Sequence, residues 1–176
     1  IASTLGHAQP LDWAGLGGDA GTGLRLGLYA TCALIAILGG RVTPAFTHNA
    51  LQRDGRLEGQ PRDRKPLMLA AAALPLALTL VTALGAAAPV PTLIPALLAL
   101  GAGVALWLRQ AGWRPGWTRG QPILWVLHAG YAMLGLGYLL TGLAVLGLGS
   151  EMAALHVLGV GAVGGMTLAV MSRATL

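Results

Sequence analysis

Residues 153–176 read AALHVLGVGAVGGMTLAVMSRATL, an apolar stretch with His156 near one end and Arg173 near the other. A run of about 20 apolar residues is long enough to cross a hydrocarbon layer of ~30 Å as a helix. The stretch therefore predicts a transmembrane helix. Its glycines and its two polar residues are the unusual features, so function is sought there first.

The composition extends this prediction to the whole chain. Of the 176 residues 55% are hydrophobic and only 10% are charged, and the mean hydropathy is +0.69. Too few polar side chains remain to cover a soluble fold of this length. The net charge of +5 comes from basic residues between apolar runs, which favours membrane orientation and contact with anionic lipid over nucleic-acid binding. The single cysteine, Cys32, excludes a disulfide framework and predicts a small core residue.

The apolar runs predict an all-α, polytopic transmembrane helical bundle with five spans. A Gly-containing segment without Lys or Arg at 1–23 predicts a periplasmic loop, and the charged segment HNALQRDGRLEGQPRDRKP at 48–66 predicts a solvated connector that includes His48. The short join AAAPVP at 86–91 predicts that spans two and three form a hairpin. The transmembrane domain is residues 24–176, expected to be incomplete at both ends, with spans at about 24–46, 67–87, 90–110, 121–147 and 151–173.

The basic residues alternate in a way that predicts orientation. Of the 11 Lys and Arg residues, all but Arg25 fall on one side of the predicted bundle. Because cytoplasmic loops carry the excess of Lys and Arg, the N-terminus is predicted outside and the C-terminus in the cytoplasm.

The fourth span carries one stripe of polar or bare positions. Its members recur at steps of three and four residues, which places them on one helix face: His128, Tyr131, Gly135, Tyr138 and Gly142. The stripe should face other helices or a cofactor, because a polar stripe against lipid is costly. Two interpretations stay open: close helix packing, or His128 as a ligand of haem iron or another metal with small residues making room.

The fifth span offers the same two interpretations. His156 is followed by several glycines, and Gly161 and Gly165 have the spacing of a close helix contact. Packing is slightly favoured from the residues alone, and Met166 and Met171 are interpreted as filler. A rise of ~1.5 Å per residue places the two histidines about 14 Å apart in depth, so they should serve different sites.

Two further arginines lie where spans meet the cytoplasmic side. Arg41 and Arg173 are either interfacial anchors or cations for haem propionates, since guanidinium binds carboxylate in a bidentate way. The sequence contains no Ser/His/Asp arrangement, phosphate loop, CxxC motif or pair of intramembrane carboxylates. Hydrolysis and proton-coupled transport are therefore unsupported, and whether the protein is an enzyme stays open.

Three segments in order carry a resemblance to a known family: GGRVTPAFTHNAL at 39–51, LHAGY at 127–131 and LHVLGVGAVGGMTLAVMSRATL at 155–176. With them the chain resembles the NnrS family of bacterial inner-membrane proteins. The resemblance implies a multi-pass protein about twice this length that contains haem and copper and is linked to nitric oxide tolerance during denitrification.

The resemblance also implies a set of site residues. His128 and His156 become the favoured haem and metal ligands, and Arg41, Thr47, Arg173 and Tyr131 become further cofactor-binding positions. Haem b is the expected cofactor, while copper enters by the resemblance alone. The expected partners are membrane lipid, further helices of the same protein and a respiratory or nitric-oxide-reductase complex, with no nucleic acid.

Two other functions remain as alternatives. The chain would be a cofactor-free structural or assembly subunit if its glycine-rich helices only pack against a partner. It would be a quinol-oxidising cytochrome b-like protein if the haem served electron transfer from a quinol.

Overall fold

A computed structural model describes residues 20–56 and 58–174, without the side chains of residues 20, 173 and 174. Every regular element within this part of the chain is helical. The elements are α1 (Ala20–Arg53), α2 (Lys65–Gly85), α3 (Leu93–Ala111), a 3₁₀ turn (Trp117–Gly120), α4 (Pro122–Val145), α5 (Glu151–His156), a π-helical segment (Val157–Gly164) and α6 (Gly165–Ala174).

The predicted fold class is confirmed. Five helices are long and apolar enough to cross a membrane, the fifth being the continuous run of α5, the π segment and α6 over Glu151–Ser172. α2 packs against α3, as the short join between them predicts. The predicted loop at 1–23 lies mostly outside the described residues, and α1 is already helical from Ala20.

The prediction that His48 lies in a connector is wrong. α1 continues to Arg53, and its last turns bury Thr47, Ala50 and Leu51, so packing extends the helix into the charged segment. Pro44 lies inside the helix, as the predicted span at 24–46 requires. The chain turns out of the helix at Gly55, whose φ of +70° suits glycine. The Arg56 N–H donates to the Leu51 carbonyl at 2.9 Å and the Gly55 N–H to the Gln52 carbonyl at 3.0 Å. This Schellman pattern satisfies the last carbonyls of α1, so the connector begins later than the charge pattern indicates.

α4 is the central helix. It packs against α1, α3, α5, the π segment and α6, and 50% of its most apolar window is buried, against 17% for α2. All five residues of the predicted polar stripe of α4 are buried. The stripe therefore faces other helices, as predicted.

The polypeptide brings four helix ends together at one end of the bundle, called here the basic end. The loop from α1 to α2 meets the loop from α3 to α4, where the Arg62 N–H donates to the Gly112 carbonyl at 3.0 Å. The opposite end carries an ion pair between Arg25 and Glu151 at 2.7 Å. His128 lies in α4 toward the basic end, and His156 lies near the other end.

Candidate functional site

Arg109 is the hub of the basic end. Its guanidinium donates to both carboxylate oxygens of Asp63, from Nε at 3.0 Å and from Nη2 at 2.7 Å, and Nη2 also donates to the Gly40 carbonyl at 2.7 Å. Its side chain is only 2% exposed, whereas that of Asp63 is 29% exposed. One buried cation thus joins α1, α3 and the loop before α2.

Trp113 completes this network. Its indole N–H donates to Asp63 at 2.9 Å, and its ring lies 5.2 Å from the Arg109 guanidinium. Partial burial tends to raise the pKa of Asp63, but the hydrogen bonds from Arg109 and Trp113 outweigh it and hold that pKa below its ordinary value. Asp63 is therefore ionised at neutral pH.

Gly40 is needed for the close approach of Arg109. A Cβ at this position would lie 2.9 Å from the Arg109 Cζ and 3.1 Å from the Tyr131 hydroxyl. Any side chain here would push the guanidinium away from the Gly40 carbonyl. The neighbouring Gly39 has a different role, because a Cβ there would lie 2.7 Å from the Met166 Cε and 3.4 Å from the Tyr131 ring.

His128 lies beside this network. It is 3% exposed, its Nδ1 is 3.1 Å from the Leu124 carbonyl, and its own carbonyl accepts a 2.6 Å hydrogen bond from Gln110. The Trp113 ring meets the imidazole edge-on at 6.4 Å between centroids. The Nε2 of His128 is buried without a hydrogen-bond partner, although the main chain of Trp113 also lies against the ring.

Tyr131, also predicted from the sequence, belongs to the same cluster. Its hydroxyl donates to the Ala36 carbonyl at 3.3 Å, and its ring centroid is 4.8 Å from that of Trp113. The structure therefore brings His128 and Tyr131 together with Arg109, Trp113 and Asp63.

The other predicted site residues lie apart from this cluster or outside what is described. Thr47 is buried, and its hydroxyl donates to the Thr43 carbonyl within α1 at 3.0 Å. Arg41 is exposed. Arg173 lies in α6, and its side chain is outside the described part of the chain. The assignment of Arg41, Thr47 and Arg173 as cofactor-binding positions stays a prediction.

His156 has a different environment from His128. It is exposed, and its Nδ1 lies 2.8 Å from the Met152 carbonyl. It directly precedes the π-helical segment, a distortion that occurs frequently at functional sites. One π turn further, Val160 is 72% exposed, and a Cβ on Gly159 would meet nothing within 4 Å. We call the surface of His156, Gly159 and Val160 the open face.

The glycines of this span separate into two groups. A Cβ on Gly161 would lie 3.2 Å from the Met133 Cβ, and one on Gly165 would lie 3.7 Å from the Gly130 Cα. These two therefore pack on α4, as their spacing predicts. Met166 is buried, and a Cβ on Gly130 would lie 3.0 Å from the Met166 Cγ, as its interpretation as filler predicts. Gly159 contributes nothing to that packing.

No group of three or more His, Cys, Asp or Glu side chains that could hold a metal ion occurs within residues 20–56 and 58–174. Cys32 is free and buried, as predicted for a core residue.

The family model described as NnrS protein matches residues 1–176 of this chain. The chain belongs to the NnrS family. The match extends through residues 1–23 and through the α2–α3 hairpin, where the motifs carry little signal. No curated protein and no solved structure matches the chain.

The Arg109 hub cannot be recognised from the sequence, because Arg109 is one of ten basic residues on the same side of the predicted bundle. Asp63 lies in a loop of mixed charge, and nothing in that loop distinguishes it from Asp54 or Glu58. The one available signal was the pair of adjacent glycines at 39–40, which a close approach of another group explains. The hydropathy pattern does not distinguish the π-helical segment from an ordinary α-helix.

Proposed function

We propose that this NnrS-family chain is a haem-binding protein of the bacterial inner membrane that takes part in the response to nitric oxide. His156 and His128 are the proposed iron ligands, at separate sites. Haem b is the proposed cofactor, and the NnrS resemblance adds association with a respiratory complex and a role in denitrification. Copper is part of the proposal by that resemblance alone.

The observation that carries the proposal is a feature shared by the two histidines. Each Nδ1 faces the main-chain carbonyl four residues earlier, at 3.1 Å for His128 and 2.8 Å for His156. A carbonyl only accepts a hydrogen bond, so Nδ1 must carry the proton. When such a ring is uncharged, its lone pair lies on Nε2, and such a hydrogen bond is what fixes ring orientation in metal-binding histidines.

The open face fits a flat macrocycle better than the surroundings of His128 do. At His156 the neighbouring Gly159 leaves space on the helix surface, so iron could approach Nε2 from outside α5. At His128 the Nε2 is enclosed beside Trp113, and a ligand would have to displace that indole. Haem iron, when bound, supplies a site for a diatomic ligand and a one-electron redox centre.

An absorbance spectrum tests the proposal. The protein purified from haem-replete membranes should show a Soret band that shifts on addition of nitric oxide under anaerobic conditions. His156→Ala should reduce the band, whereas His48→Ala, a histidine in α1 outside the proposed ligand set, should leave it unchanged. Purified protein without a Soret band, even after incubation with haem b, would overturn the proposal.

A second function is favoured by one specific observation. Side chains of α3 occupy the space beside the glycines of the α4 stripe. A Cβ on Gly135 would clash with the Trp107 ring, and one on Gly142 would lie 2.6 Å from Leu100. Helix packing explains these two positions completely, as expected of a structural or assembly subunit without cofactor. A colourless protein that co-purifies with a respiratory complex in stoichiometric amounts would favour this function.

A further inference from the structure

The basic end contains a cavity of about 600 Å³ next to the Arg109 hub. Four arginines line it, together with two leucines from the ends of α2 and α3: Arg62, Arg64, Arg109, Arg114, Leu67 and Leu108. A cavity of this size holds a small ligand or a lipid headgroup. The proposed haem ligands do not line it.

The cavity has excess positive charge. Arg109 is neutralised by Asp63, but Arg62, Arg64 and Arg114 pair with no carboxylate within the part of the chain that the structure describes. Three guanidinium groups therefore border one space without a counter-charge from those residues. Such an arrangement favours an anion, because guanidinium groups form charge-assisted hydrogen bonds with phosphate or carboxylate oxygens.

The walls of the cavity are held in place by the fold. The Arg62 N–H is bonded to the Gly112 carbonyl, and the Arg114 guanidinium lies directly against Gly59. Gly59 has a φ of +68° and Arg114 a φ of +58°, so both turns use the left-handed region. Arg114 is the only non-glycine residue with positive φ among the described residues, and its side chain lines the cavity.

Two more groups match a phosphate ester. α2 begins at Lys65 without a side-chain cap, and Pro66 in its first turn has no N–H. The helix N-terminus still carries partial positive charge. The Gln60 Oε1 is buried without a partner, while its Nε2 donates to the Arg56 carbonyl at 2.7 Å. This oxygen can accept a hydrogen bond from a hydroxyl on the ligand, such as that of a phosphoglycerol group.

We propose that this cavity is a binding site for a phosphate group, held by Arg62, Arg64 and Arg114. The phosphate comes either from the headgroup of an anionic phospholipid or from a free phosphate anion. Leu67 and Leu108 border the cavity, and Leu108 is 55% exposed at the end of a span. Acyl chains would lie along this apolar border, so the lipid source is the favoured one.

Native mass spectrometry of the purified protein provides the test, with phosphatidylglycerol added in one arm and inorganic phosphate in the other. Arg62→Gln combined with Arg64→Gln should weaken phosphatidylglycerol binding about 25-fold, on the basis of about fivefold for each basic residue near anionic lipid. Arg53→Gln combined with Arg119→Gln removes the same charge from exposed positions outside the cavity. This control pair should retain binding within about twofold.

The arms distinguish the sources. Retention of phosphatidylglycerol that inorganic phosphate does not displace assigns the site to lipid, and binding of inorganic phosphate alone assigns it to the free anion. Equal loss in the two double variants would mean diffuse attraction to surface charge and would overturn the proposal. So would a wild-type protein that binds neither probe, or a cavity variant that binds as wild type does with unchanged circular dichroism.

Discussion

The basic end and the open face use polar residues in opposite ways. At the basic end, Arg109 finds its carboxylate and carbonyl partners within the chain. The Trp113 ring lies edge-on against the buried His128. On the open face, His156 is exposed, and a Cβ on the neighbouring Gly159 would meet nothing within 4 Å. The role of an intramembrane histidine therefore cannot be assigned from sequence spacing alone, because His128 is enclosed by the fold and His156 faces outward.

The largest expected effect on stability comes from breaking the ion pair between Asp63 and Arg109 at the basic end. Asp63→Ala leaves Arg109 buried without a counter-charge, which should lower the free energy of unfolding by about 3–5 kcal/mol. Glu58→Ala removes an exposed carboxylate from the same loop and should change it by less than about 0.5 kcal/mol. Unfolding in detergent followed by circular dichroism measures both. Equal stability of the two variants would mean that the hub is not structural.

A smaller effect should follow from crowding the hub without removing charge. In Gly40→Ala the new methyl group meets the Arg109 guanidinium and the Tyr131 hydroxyl, so a loss of about 1–3 kcal/mol is expected. Gly27→Ala, in the same helix, meets nothing within 4 Å and should be neutral or stabilising by up to about 1 kcal/mol. If both substitutions raise the free energy of unfolding, Arg109 does not pack closely against Gly40.

The ion pair should also make stability depend on pH. Because the folded state holds the pKa of Asp63 below its ordinary value, the stabilisation is fully present above the unfolded pKa and is lost as pH falls through the folded one. Wild type should therefore lose stability in acid more steeply than Asp63→Asn does. Parallel acid dependence in the two proteins would show that Asp63 contributes nothing to it.

The smallest expected effect on stability lies on the open face. Gly159→Ala adds a methyl group where no atom lies within 4 Å, so the free energy of unfolding should change by no more than about 1 kcal/mol, in the stabilising direction. Gly137→Ala provides the contrast, because its Cβ would lie 2.6 Å from the Leu158 Cγ. Comparable destabilisation of the two variants would mean that the open face is packed after all.

Much of the fold followed from the sequence, because hydropathy and turn residues determine where apolar helices begin and end. The extension of α1 from its predicted end near residue 46 to Arg53 did not, because the charged residues around Ala50 and Leu51 indicate a connector although both apolar side chains are buried. The site was only partly predictable. Periodicity placed His128 and Tyr131 on one buried face, but the partnership of Arg109 with Asp63 joins residues 46 positions apart, and no local pattern encodes such a contact.

The haem content of two histidine variants directly tests the comparison between His128 at the basic end and His156 on the open face. Haem per chain is measured by the pyridine haemochrome assay in wild type, His156→Ala and His128→Ala, each checked for helicity by circular dichroism. We expect His156→Ala to lose the haem of the open face and to keep that of the His128 site, and His128→Ala to show the reverse. Full haem content in His156→Ala would contradict the assignment of the open face as a ligand site.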